Sequence, residues 1–313
     1  MSQPGGPRRV AVTGATGFVG PHLVAALARH GWRVRLLIRK WSPVPSLAGV
    51  EAEVVLGDLE DDAALARLVA GADAVIHAAG LIKARHEADF LAVNRDGTAR
   101  LSALAPDVPF LLLSSLAARE PLLSPYAASK RAAEEVVARR TGPWLAVRAP
   151  AVYGPGDRET LAYFRTAVRG LALRPNRPEA RLGWIHVVDL AEALALALDR
   201  QLPSDIYEID DGHEGGYSYS DMAEAVQGAV GRRVRSVSIA RFQIMAVAWA
   251  NLLRQSLGGP VQILTPGKVR EMFHPDWTIH DRRLANTIGF AARYTLARGF
   301  AETIGWYRER HWL

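Results

Sequence analysis

The chain has 313 residues, 49% of them hydrophobic and 22% charged, which suits a globular protein with a sizeable buried core. It has no cysteine, which excludes disulfides, thiolate metal sites and a cysteine nucleophile. Its 38 basic and 32 acidic residues leave a net charge of +6, a balance that suits an anionic cofactor or a membrane surface but demonstrates neither.

Taken in chain order, "RRVAVTG" (8–14) reads as a strand and "FVGPHLVAALARHG" (18–31) as a helix closed by Gly31. Further strands are expected at 33–39, 50–58, 72–80, 108–115 and 144–150, with helices over 91–105 and 126–140. Strand and helix alternating over short connections predict a parallel sheet covered on both faces. After Pro150 the rhythm loosens. Residues 151–157 are turn-rich, 174–183 form a loop with short strands, 189–200 are helical, and 205–211 add a strand to the main sheet. From Ser218 onward helical segments are expected, forming a smaller lobe over the C-terminal edge of the sheet, where open α/β sheets bind ligands. The fold class is therefore α/β, a doubly wound parallel sheet with a mostly helical C-terminal substrate lobe. The expected division is 1–150, with 184–210 returning to it, against 151–183 and 211–313.

No signal-peptide-like apolar segment precedes the first strand, and the longest later apolar run, near 242–253, is too short to span a bilayer. A cytoplasmic location is expected.

Gly14, Gly17 and Gly20 follow a strand and open a helix. The first permits a tight turn, the second lets backbone approach a pyrophosphate, and the third packs helix on strand. The helix N-terminus then offers free N–H groups to the phosphates. The second strand ends in "LLIRK", so Arg39, helped by Lys40, is placed for a ribose 2′-phosphate; NADP is expected over NAD. Asp58 is a candidate acceptor for the adenine amine or, equally, a cap for the helix starting near Asp61.

Tyr126 and Lys130 stand at i and i+4, one turn apart on one helix face. A phenol with an ordinary pKa of about 10 is a poor acid–base at neutral pH. An ammonium nearby and a cationic nicotinamide ring favour phenolate and bring it into range. Ser115, ending the preceding strand, is placed to hydrogen-bond the same substrate oxygen.

These pieces together resemble the short-chain dehydrogenases/reductases, in their extended, epimerase/dehydratase-like branch. The matching stretches are TGATGFVG (13–20), GDLED (57–61), HAAG (77–80), VNRDGT (93–98), SS (114–115), YAASK (126–130), RAPAVYGPGD (148–157) and WIHVVD (184–189). The resemblance implies a Rossmann fold and a hydride-transferring NAD(P) site. It makes Tyr126 the acid–base, Lys130 the group that lowers its pKa and holds the nicotinamide ribose, and Ser115 the carbonyl-polarising hydroxyl. Asn94 would support the lysine's water network or the helix bend. The cofactor would be lined by Gly14, Thr16, Gly17, Phe18, Val19, Gly20, Arg39, Asp58, Leu59, Ala78, Ala79, Gly80, Tyr126, Lys130, Pro150 and Val152. Only ten residues separate Ser115 from Tyr126, a short connection for this branch and one resembling its hydroxysteroid-dehydrogenase-like members. Members often dimerise through the helices after the fourth and fifth strands, so a homodimer is implied.

His77 and His186 read as structural histidines, and the His274, Asp276, His280, Asp281 cluster as turn and cap residues, so no metal site is expected. Arg148 and Tyr153 read equally as a structural crossover or as neighbours of the nicotinamide. Residues 242–253, bracketed by Arg241 and Arg254, are core packing or a greasy lid over an apolar pocket, with a weak membrane-surface contact as the sharper idea. Arg174, Arg177 and Arg181 would suit a sugar nucleotide instead. The expected activity is interconversion of a secondary alcohol and a carbonyl on a mid-sized apolar small molecule. No nucleic-acid partner is expected. The alternatives are a nucleotide-sugar epimerase or dehydratase holding NAD, and a non-catalytic nucleotide-binding subunit.

Overall fold

The computed structural model describes residues 8–40, 42, 49–200 and 202–313. Six strands alternate with helices through the first half: β1 (Arg9–Thr13), α1 (Gly20–Arg29), β2 (Arg33–Ile38), β3 (Ala52–Leu56), α2 (Asp62–Val69), β4 (Ala74–His77), α3 (Glu87–Phe90), α4 (Gly97–Ala103), β5 (Phe110–Ser115), α5 (Pro125–Ala138) and β6 (Trp144–Ala149). The chain then builds β7 (Ala151–Tyr153), α6 (Leu161–Val168), β8 (Leu171–Pro175), β9 (Arg181–Leu182) and β10 (Trp184–His186). After these come α7 (Val187–Asp199), β11 (Asp205–Glu208), α8 (Tyr219–Val230), β12 (Arg235–Ile239), α9 (Arg241–Ser256), α10 (Pro266–Met272), β13 (Asp276–Trp277), α11 (Arg283–Ile288) and α12 (Leu296–Glu309).

Seven strands form one sheet in the order β11-β6-β5-β4-β1-β2-β3, every neighbour parallel. This doubly wound order reverses direction between β1 and β4, the crevice where such sheets bind dinucleotides. Period-two alternation decides which face each side chain joins. Val10 and Val12 pack with Leu23, Leu27, Leu190 and Leu194 of α1 and α7, whereas Ala11 packs with Leu65, Leu68, Leu101 and Val137 of α2, α4 and α5. Both faces are covered, which is why these strands read as continuous apolar runs. The expected strand at 205–211 joins β6 at the sheet edge.

The C-terminal elements gather around a second core of large aromatics, including Tyr153, Phe164, Trp184, Phe300 and Tyr307. This part was expected to be mostly helical. It also contains three short parallel pairs, β7–β10, β8–β12 and β9–β13. A small cluster of Ile244, Ala248, Val269 and Phe273 joins α9 to α10. Among the described residues no helix is long and apolar enough to cross a membrane.

Candidate active site

The turn after β1 needs its glycines. Gly14 has φ +82°, and a Cβ there would lie 2.6 Å from the backbone of Ala78 and Ala79. A Cβ on Gly20 would lie 2.4 Å from the carbonyl oxygens of Gly14 and Ala15. The loop therefore presses backbone against the end of β4, as a phosphate cradle requires. α1 begins above it with no side-chain cap and no acidic residue in its first turn, leaving its N–H groups available to an anion. Thr16 and Gly17 are exposed here, and Val19 stands at the helix cap position. Phe18 faces the β7–α6 loop at Gly156, and His22 hydrogen-bonds the Pro155 carbonyl at 3.0 Å.

Arg39 and Lys40 are exposed immediately after β2, beside this crevice. The two readings of Asp58 separate: Asp61 caps α2, accepting from the Ala64 N–H at 2.9 Å, while the exposed Asp58 accepts from Glu60 N–H within its own turn. Leu59 packs beneath Gly97 of α4. Ala78, Ala79 and Gly80 leave β4 beside the glycine turn. The Ala78 N–H donates to the Thr13 carbonyl, and the Ala79 N–H to the Thr13 hydroxyl. His77 lies fully buried below, 2.6 Å from the Thr13 hydroxyl. Burial, followed by the nearby Lys130 ammonium, pushes its pKa down to about 3, so it is a neutral packing residue.

The helix expected over 91–105 is present, running without a break from Glu87 to Ala103, but part of it is wound differently. Leu91–Asp96 forms a π-turn before α4. That turn aims the buried Asn94 inward, where its amide donates to the Leu81 carbonyl and to Ser129 and its oxygen accepts from the Leu81 N–H. A π-turn inside a helix is a recurrent feature of functional sites.

α5 starts at Pro125 with Ser124 as its cap, accepting from the Ala127 N–H at 3.0 Å. Ser124 is itself held by a short hydrogen bond to Glu271 of α10, a carboxylate also paired with Lys268 at 2.9 Å. The helix carries Tyr126 to the wall of a cavity of about 730 Å³, which Ser115 also lines. The Ser115 hydroxyl neighbours the Tyr126 phenol and favours its ionised form. Lys130 is buried one turn below and donates to the Leu113 carbonyl at 2.7 Å. Burial pulls its pKa down to about 8 against the raising influence of Glu134. Tyr126 differs from the expectation of a lowered pKa. Burial pushes it up to about 12, opposed by the Ser115 hydroxyl and reinforced by Glu271, so it stands here as a neutral phenol.

Pro150 and Val152 line the same cavity, with Phe90, Trp277 and, from α9, Trp249, Leu252 and Gln255. Arg174 also lines it, bonded to Ser236, whereas Arg177 pairs with Glu179 and Arg181 with the Ala180 carbonyl, away from the cavity. Arg148 is structural: it grips buried Glu134 through two bonds of 2.8 and 2.7 Å. Tyr153 is fully enclosed by the aromatic core. His186 stacks on Tyr294 with ring centres 3.9 Å apart, and Asp189 accepts backbone N–H groups from Arg293 and Tyr294. His280 pairs with Asp276 at 2.8 Å, and no group of three metal-ligating side chains occurs among the described residues. Sequence reading missed Glu271 and Gln255, which reach the site from 147 and 170 residues away from their partners Ser124 and Arg85. No local motif signals either.

The family model described as "NAD dependent epimerase/dehydratase family" matches residues 10–210. The chain belongs to this NAD-dependent epimerase/dehydratase family. Within the family it is similar to a ceramide reductase of Caulobacter vibrioides, 42% identical over 306 residues that cover 97% of this chain and 96% of that one. It is also similar to the 4-hydroxy-2-methyl-3-oxo-4-farnesyl-3,4-dihydroquinoline-1-oxide ketoreductase of Stigmatella aurantiaca, 27% identical over 93% of this chain and 94% of that one. Among solved structures it shares its fold with UDP-glucose 4-epimerase from Bifidobacterium longum in complex with NAD+ and UDP. The TM-score is 0.74 at 19% identity, covering 97% and 99% of the two chains. As an epimerase/dehydratase family member with reductase relatives over its whole length, the chain is an NAD(P)-dependent oxidoreductase of the extended short-chain type.

Proposed function

We propose that this oxidoreductase reduces a ketone on a long-chain, lipid-like substrate with NADPH. The observation that carries the reading is that Ser115 and Tyr126 together line the wall of a cavity roofed by the apolar side chains of α9. The likeness to a ceramide reductase supports a lipid ketone over a sugar. The cations lining the cavity support it too, because they are engaged with the protein itself. Lys83 pairs with Glu159, Arg85 donates to the carbonyls of Gln255 and Gly259, and Arg270 donates to that of Leu123.

The residues fit a dinucleotide: the Gly14 turn leaves no room for a Cβ, and the first turn of α1 lacks an opposing charge. In the proposed assignment Gly14, Thr16, Gly17, Phe18, Val19 and Gly20 bind the pyrophosphate, and Arg39 binds the 2′-phosphate. Asp58 and Leu59 flank the adenine, and Ala78, Ala79, Gly80, Pro150 and Val152 pass along the rest of the cofactor. When bound, the nicotinamide supplies the hydride to the carbonyl carbon. Ser115 donates a hydrogen bond to the carbonyl oxygen, and Tyr126 passes its phenolic proton to that oxygen, giving the secondary alcohol. A phenol held near pKa 12 is fully protonated at neutral pH, so it is loaded for reduction. Lys130 holds the nicotinamide ribose, and Asn94 positions the strand-end loop and α5 around it. In this reading 1–150 with 184–210 is the nucleotide-binding part and the remainder the substrate lobe.

The test is titration of nucleotide-stripped protein with NADPH and NADH, followed by NADPH consumption with an N-acyl long-chain amino ketone. Tighter NADPH binding that is lost in Arg39→Ala, with turnover of the ketone, is the expected result. Tightly retained NAD and interconversion of a sugar nucleotide would replace the reading with an epimerase.

A further inference from the structure

Helix α9 carries its large side chains on two faces. The inner face is buried through Ile244 and Ala248 against Val269 and Phe273. The opposite face is apolar as well. Phe242, Ala246, Trp249, Leu253 and, just past the helix end, Leu257 recur at intervals of four, three, four and four, which places them in one stripe. That stripe faces outward: Phe242 is 74% exposed, Trp249 60%, Leu253 64% and Leu257 80%. Single exposed apolar residues are ordinary, but an aligned row of four large ones marks an interaction surface.

Charge points to the occupant. Between Arg232 and Arg254 the sequence carries five basic residues and no acidic one. Arg241 and Arg254, both exposed, flank the stripe on either side of the helix, and neither is ion-paired with another of the described residues. Aromatic and leucine side chains bordered by arginines match the boundary of an anionic bilayer, where apolar groups enter the acyl region and guanidinium groups meet phosphates. Trp249 belongs both to the stripe and to the cavity lining, and Leu252 and Gln255 continue from it into the cavity. The stripe and the entrance to the candidate active site are therefore continuous.

We infer that the outer face of α9 docks on an anionic phospholipid surface, placing the cavity mouth at Trp249 against the lipid. The protein binds peripherally, with α9 lying in the interface plane. Vesicle binding is read without substrate or turnover, so this inference and the proposed reduction fail separately.

The experiment is co-sedimentation of the full chain with phosphatidylglycerol-containing vesicles and with pure phosphatidylcholine vesicles at physiological ionic strength. The wild type should partition onto the anionic vesicles at least tenfold more strongly than onto the neutral ones. Phe242→Ser/Leu253→Ser/Leu257→Ser, none of which lines the cavity, should lose at least tenfold in partitioning while its NADPH affinity is unchanged. Arg241→Gln/Arg254→Gln, which leaves the apolar stripe intact, should lose the preference for anionic vesicles. Wild-type protein that stays in the supernatant, equal binding to both vesicle types, or undiminished binding of the triple variant would overturn the inference. So would a wild-type dimer that the triple variant turns into a monomer, since the stripe would then face a second copy.

Discussion

Ser114 and Ser115, adjacent at the end of β5, face different ends of the same helix, α5. Ser114 donates to buried Glu134 at 2.5 Å, the same carboxylate that Arg148 grips, while Ser115 lines the cavity wall beside the Tyr126 phenol. Glu134 lies in the buried middle of α5 and Tyr126 in its first turn at the cavity wall, so one serine serves packing and the other the cavity. Replacing the two serines should therefore give different phenotypes. Ser115→Ala should lower kcat by one to three orders of magnitude, on the order of what one positioned donor contributes, with little change in melting temperature. Ser114→Ala should keep most turnover and lose about 1–3 kcal/mol of stability, the cost of a charged buried group losing a donor. Steady-state kinetics and urea unfolding of both variants check the pair, and the reverse pattern would exchange their roles.

Gly14→Ala should both unfold and unload the protein. Its Cβ would collide with the Ala78–Ala79 peptide from a left-handed backbone, so a loss of about 2 kcal/mol or more is expected. Calorimetry should show the lower melting temperature, and nucleotide titration a loss of at least tenfold in affinity even at temperatures where the variant is folded.

Lys130 predicts a pH dependence of nucleotide binding. With its pKa pulled down to about 8, the ammonium is present below that pH and is lost as pH rises through it. Affinity for NADPH should be flat below about pH 8 and weaken above it, and Lys130→Met should remove the break. Isothermal titration across pH 6–10 reads this directly; an unchanged break in the variant would assign it to another group.

Stability should fall on acidification because two histidines are buried neutral. Burial lowers both His77 and His186 to about 3, assisted by Lys130 in the first case and by His22 and Arg298 in the second. The unfolded chain takes up those protons near pH 6.5 and the folded chain does not, so stability is whole above about 6.5 and declines toward 3. His30 acts in the other direction. Burial pushes it down, but its bonds to Glu192 and Asp199 outweigh that and raise it, so its contribution is present below 6.5 and lost as pH climbs through its folded value. His186→Phe should flatten the acid slope of the unfolding free energy by up to about 1.4 kcal/mol per pH unit.

Much of the sheet was legible because each strand is buried on both faces and therefore reads as an apolar run, from Val10–Val12 to Leu145–Val147. The glycine turn was legible for a local reason too: Gly14 and Gly20 answer to contacts within the same short segment and the next strand end. What escaped reading depends on distant partners. The π-turn at Leu91–Asp96 follows from Asn94 reaching Leu81 and Ser129, and nothing within a heptad reports that. Glu271 arrives at the cap of α5 through tertiary packing. Arg148 was open between structure and site, and only the placement of Glu134 opposite it made it structural. For 242–253 the sequence leaves core packing and a greasy lid both open; the structure gives the helix a buried face and an exposed one, which no hydropathy pattern distinguishes.

The central claim is that Tyr126 delivers the proton in an NADPH-dependent ketone reduction. Tyr126→Phe removes one hydroxyl and keeps the ring that packs against Phe90. Single-turnover NADPH oxidation with the long-chain amino ketone should slow about 10²–10⁴-fold in this variant, the range for loss of a positioned general acid, while NADPH affinity stays within twofold. A variant that oxidises NADPH at the wild-type rate would contradict the account.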